Sequence, residues 1–113
     1  MTMNLRLYLM RHAKTEESNE KGDFYRNLTE EGINQAKHAA KFLKNFQIDK
    51  IMVSYAKRTL QTSKYISEIL SDVEVQIVEE LYNASEEQVI DLIKHADDQC
   101  HHILLIGHNP VIY

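Results

Sequence analysis

The sequence predicts an α/β fold, a three-layer sandwich with a mainly parallel central sheet and helices on both faces. Three observations lead there. Residues 5–10, 48–53, 74–78 and 101–106 are short runs with the length and the aliphatic or β-branched content of strands. Between them lie longer stretches whose apolar residues recur at helical spacing. The resulting order, strand, helix, strand, helix, strand, helix, strand, is the alternation that parallel crossovers require.

The first strand, expected to be buried, is the run LRLYLM, which ends abruptly at Arg11-His12. Residues 16–27 form a long polar loop holding Gly22 and, near its end, Arg26; loops of this length in a small domain are usually functional. A helix follows Leu28. Thr29 is its expected N-cap, Glu30 and Glu31 suit the positive end of its dipole, and Ile33, Ala36, Ala40, Leu43 and Phe46 mark its buried stripe. Gly32 lowers helix propensity, so its presence in the first turn points to close packing there.

The second strand, residues 48–53, stops at Ser54, the expected cap of a helix spanning residues 56–70. Arg58 then falls in the first turn, where free backbone N–H groups make an anion site and a cation does nothing for helix stability. The third strand, EVQIV, alternates polar and β-branched residues. A connector at residues 79–84 leads to a helix over residues 85–96, capped by Ser85. The last strand, HHILLI, runs into Gly107-His108-Asn109-Pro110, where proline ends regular pairing.

Length and composition bound the function. A chain of 113 residues suits one domain, residues 1–113, with one core. With 27% charged and 43% hydrophobic residues the composition is that of an ordinary globular protein. A net charge of −4 argues against nucleic acid or an anionic membrane as the main partner. No apolar run approaches the ~20 residues of a membrane span, and residues 5–10 are too few for a signal-peptide core. The single cysteine, Cys100, forms no internal disulfide and reads as a packed or surface thiol; a cytoplasmic location is expected.

If the strands are parallel neighbours, their carboxyl ends bring Arg11, His12, Arg58 and His108 to one edge, where such folds bind ligands. Arg26 can close over them. Arginine forks bind phosphate oxygens in pairs, so three arginines around an imidazole describe a phosphate pocket. Surrounding positive charge also favours the neutral, nucleophilic imidazole. The remaining histidines read differently. His101 and His102 point to opposite faces of a strand, and His38 and His95 lie on helices, so no metal site is expected. Lys14 and Lys57 read as solvated.

Four motifs now stand in order: Arg11-His12-Ala13-Lys14-Thr15, Arg26-Asn27-Leu28-Thr29-Glu30-Glu31-Gly32, Ser54-Tyr55-Ala56-Lys57-Arg58 with Gln61-Thr62, and Gly107-His108-Asn109-Pro110. Together they resemble the histidine phosphatase superfamily, of phosphoglycerate mutase-like fold, and most of all its small branch of SixA-type phosphohistidine phosphatases. The resemblance implies His12 as the nucleophile that becomes phosphohistidine. Arg11, Arg58 and His108 match residues that hold the phosphoryl oxygens, and Arg26 matches an arginine that assists the same pocket. Glu80 lies where related phosphatases place a general acid.

The activity implied is that of a metal-independent phosphatase without cofactors, acting on phosphohistidine in a protein or on a small phosphoester. The competing reading is a non-catalytic anion-binding or protein-binding module. Ala13 stands where the family often has glycine, and Asn27 and Tyr55 where it often has proline. Family members also continue past the Gly-His-Asn-Pro motif with a helix and usually a strand. The expectation is therefore a domain lacking that C-terminal element, whose uncovered edge would favour oligomers.

Overall fold

The strand His102–Gly107 explains the rest of the sheet. It has no polar alternation, and Ile103, Leu104, Leu105 and Ile106 are each at most 1% exposed. A strand buried on both faces belongs at the centre of a parallel sheet. The computed structural model, which describes residues 6–79, 87–88, 91 and 102–107, places it there. Strands β1 (Arg6–Arg11), β2 (Lys50–Ser54), β3 (Glu74–Val78) and β4 (His102–Gly107) stand in the order β1-β4-β2-β3, every pair parallel.

Two helices pack on one face. Helix α1 (Glu30–Leu43) is capped by Thr29, whose hydroxyl accepts from the Gly32 N–H at 3.0 Å. It runs on into a 3-10 turn, Lys44–Phe46, and left-handed Gln47 (φ 54°) ends it. Helix α2 (Lys57–Ile69) starts later than expected: its N-cap is Ala56, and Ser54 is instead the last residue of β2. The cap bond comes from inside the helix, because the Thr59 hydroxyl accepts from the Ala56 N–H at 3.2 Å and donates to the Ser54 carbonyl at 2.6 Å. Reaching back from the third helical position satisfies one terminal N–H without a polar cap residue.

Ala40 and Leu43 of α1 and Ile66 of α2 bury against Ile51, Val53, Leu104 and Ile106 of the sheet. Each large side chain so buried contributes roughly 1.5–3 kcal/mol. Met52, Ile103 and Leu105, on the opposite face, are also withdrawn from solvent, as a doubly covered sheet requires. The helix expected over residues 85–96 falls largely outside the described residues; Glu87, Gln88 and Asp91, which are described, are helical. Among the described residues β1 is an edge strand rather than the buried strand expected, with Leu7 and Leu9 at 38% and 51% exposure. Among the described residues no helix is long and apolar enough to cross a membrane.

Candidate active site

All four strands point their carboxyl ends to one edge, and β1 and β4 end in register, Arg11 opposite Gly107. The His12 N–H continues that ladder by one bond, donating to the Gly107 carbonyl at 3.0 Å. His12 is thereby fixed beside the central strand. Its Nδ1 lies 2.8 Å from the Ala13 carbonyl. A carbonyl only accepts, so Nδ1 carries the hydrogen and the lone pair of the neutral ring sits on Nε2.

The chain beyond His12 is bolted to both helices. Ala13, 5% exposed, donates its N–H to the Thr62 hydroxyl at 3.1 Å, and that hydroxyl donates to the Arg58 carbonyl at 2.8 Å. The Lys14 N–H donates to the Gln35 side-chain carbonyl at 3.0 Å, while the Lys14 carbonyl accepts from the Thr29 N–H at 3.0 Å. Gly32 makes that approach possible: a Cβ there would lie 2.0 Å from the Lys14 carbonyl oxygen. The close packing expected of this glycine is thus backbone against helix. Ala13, Leu28 and Ala36 form a small apolar cluster beneath the turn.

Arg26 arrives from the long loop. Its Nη2 donates to the Thr15 hydroxyl at 2.5 Å and its Nε to the Glu16 carbonyl at 2.9 Å. The loop is folded locally, with Gly22 at φ 110° closing a turn from Asn19 that a side chain would strain. Arg11, His12, Ala13, Lys14, Thr15, Arg26 and Gln35 line one open cleft of about 370 Å³. Lys14 is exposed, as expected of a solvated lysine; its Nζ also pairs with Glu31 at 2.8 Å, and that hydrogen bond and charge hold its pKa above the ordinary lysine value.

Of the expected site residues, Arg11, His12 and Arg26 share this cleft. Arg58 does not line it, but stands in the first turn of α2, 4% exposed, one hydroxyl away from Ala13. His108 and Glu80 lie outside the described residues. Gln35 is absent from the sequence motifs, and Thr15 and Thr62, which lie in them, carry no individual role there. Gln35 had one legible signal, as it follows Glu31 by four residues and so shares its helix face.

Arg11, Lys14 and Arg26 line one cleft with His12 at the carboxyl edge of a parallel sheet, which gives this α/β protein a basic pocket where such folds hold their ligands. The family model of the histidine phosphatase superfamily (branch 1) matches residues 7–89, and the chain belongs to that superfamily. Among solved structures it is similar to a candidate phosphohistidine phosphatase SixA from Agrobacterium tumefaciens, with 31% identity and a TM-score of 0.88 over 98% of this chain and 73% of that one. A candidate SixA protein from Nakamurella multipartitia gives 29% identity and a TM-score of 0.82, over 94% of this chain and 60% of that one. A protein histidine phosphatase SixA complexed with tungstate shares the fold at 22% identity and a TM-score of 0.79, over 93% of this chain and 70% of that one. No curated protein matches the sequence.

Proposed function

We propose that the chain is a phosphatase that forms a covalent phosphohistidine on His12, with phosphohistidine in a protein as its substrate class. The observation that carries this reading is the 2.8 Å contact of His12 Nδ1 with the Ala13 carbonyl, which assigns the lone pair to Nε2, in a cleft that also contains Arg11 and Arg26. Similarity to two candidate SixA phosphatases, and to a SixA structure holding the tetrahedral oxyanion tungstate, supports the substrate class.

In the first step Nε2 attacks phosphorus in line. The Nε2–P bond forms, and the bond from phosphorus to the leaving nitrogen or oxygen breaks with its electron pair, which takes up a proton. Arg11 and Arg26, which line the cleft, stabilise charge on the equatorial oxygens, and the resemblance gives Arg58 and His108 the same role. Arginines supply the charge for which other phosphoryl-transfer sites use a metal ion. In the second step water adds to phosphorus, the Nε2–P bond breaks, and phosphate leaves. Glu80 stands in this reading as the proton donor for an alkoxide leaving group; an imidazole leaving group needs less help.

The test is the His12→Ala variant assayed on phosphohistidine and on para-nitrophenyl phosphate. Loss of turnover on both is expected. Retained turnover would remove the covalent step. A preference for para-nitrophenyl phosphate in the wild type would transfer the substrate class to small phosphoesters.

A further inference from the structure

Asn27 stands where the family often has proline, a residue with no N–H to give. Here that N–H is used. It donates to Glu16 Oε1 at 3.0 Å, the Asn27 side-chain amide donates to the same oxygen at 3.3 Å, and the Asn19 amide does so at 2.8 Å. The Glu16 N–H returns a bond to the Asn27 carbonyl at 3.0 Å. From α2, the Gln61 amide donates to Asn27 Oδ1 at 3.0 Å, and its carbonyl accepts from the Leu28 N–H at 2.8 Å. The two ends of the long loop are therefore closed on each other and braced against the helix that carries Arg58.

Arg26 sits inside this closure, bonded to the Glu16 carbonyl and the Thr15 hydroxyl at the mouth of the cleft. We infer that Glu16 is a positioning residue: its carboxylate, accepting from Asn19 and Asn27, closes the loop so that the Glu16 backbone carbonyl receives Arg26 Nε and keeps the guanidinium at the rim of the His12 cleft. The inference rests on Arg26 being a phosphoryl-binding group. Fixing a long side chain before the ligand arrives removes an ordering cost from binding. Bonds to an ionised acceptor are also the stronger kind. The Asn19 and Asn27 donors, with the charge of Lys57 nearby, hold the Glu16 carboxyl below its ordinary range, so the clamp stays ionised at neutral pH.

The experiment is calorimetric titration of inorganic phosphate into the full chain and into Glu16→Ala, Glu16→Gln, Arg26→Ala and the Glu16→Ala/Arg26→Ala double variant. Arg26→Ala is expected to weaken binding by about tenfold, and Glu16→Ala several-fold. Glu16→Gln keeps an acceptor oxygen but loses the charge, and is expected to bind between Glu16→Ala and wild type. Because Glu16 acts through Arg26, its alanine change should add nothing in the Arg26→Ala background. The inference is overturned if Glu16→Ala binds phosphate like wild type, or if its effect is as large without Arg26 as with it. Undiminished binding by Arg26→Ala would instead remove Arg26 from the phosphate site, and the clamp's purpose with it.

Discussion

Replacing Gly32 with alanine sets two effects of opposite sign against each other. On helix propensity alone the change stabilises α1 by about 1 kcal/mol. The new Cβ, however, would lie 2.0 Å from the Lys14 carbonyl oxygen and 3.0 Å from both its carbon and its nitrogen, so backbone has to move. Overpacking of this kind costs about 1–3 kcal/mol. The Lys14 carbonyl also accepts the Thr29 N–H, and displacing it forfeits roughly another 1 kcal/mol. The net expectation is a loss of about 1–3 kcal/mol. For a domain of this size that lowers the melting temperature by roughly 4–12 °C. Thermal and urea unfolding followed by circular dichroism measure it. A variant as stable as wild type, or more so, would refute the claim that Lys14 is packed onto α1 through this glycine.

Thr62→Val keeps the shape but removes the hydroxyl between the Ala13 N–H and the Arg58 carbonyl; urea unfolding should show a loss of about 1–3 kcal/mol, and an unchanged midpoint would deny the bridge. Leu104→Ala, in the central strand, should cost about 2–5 kcal/mol by the same measurement, whereas a peripheral position would cost much less. Glu16 should titrate below 4.5 by NMR, and Asn19→Ala, which removes the largest cause of that shift, should move it back up. A carboxyl lowered by folding contributes stability above its unfolded pKa that is lost as pH falls through the folded one, so Asn19→Ala should narrow the stability difference between neutral and acid pH. An unshifted Glu16 would contradict the three bonds drawn to its Oε1.

Strand and helix positions were legible because periodicity survives in single segments. The amphipathic stripe of α1, the uninterrupted apolar run of β4 and the cation at the start of α2 each sit within a residue or two of where the sequence places them. Strand order was not legible. Only the lack of polar alternation in HILLI hinted that β4 lies between β1 and β2, which among the described residues leaves β1 at an edge with Leu9 half exposed. The cap of α2 was misplaced because Thr59, three residues inside the helix, does the work expected of Ser54. Within the site, residues of distinctive chemistry, Arg11, His12 and Arg26, could be singled out. The pairings of the amides and hydroxyls that hold them were not legible: Gln61 meets Asn27 across 34 positions of sequence and Thr62 meets Ala13 across 49, contacts that no local pattern encodes.

The covalent step on His12 is most directly tested by trapping. A radiolabelled phosphoryl donor is mixed with the wild-type chain, the reaction is quenched within its first turnover, and the labelled peptide is mapped. The mechanism predicts one label, stable in base and labile in acid, on the peptide containing His12 and missing from His12→Ala. Turnover of the donor without any such label, or a label on a different residue, would contradict it.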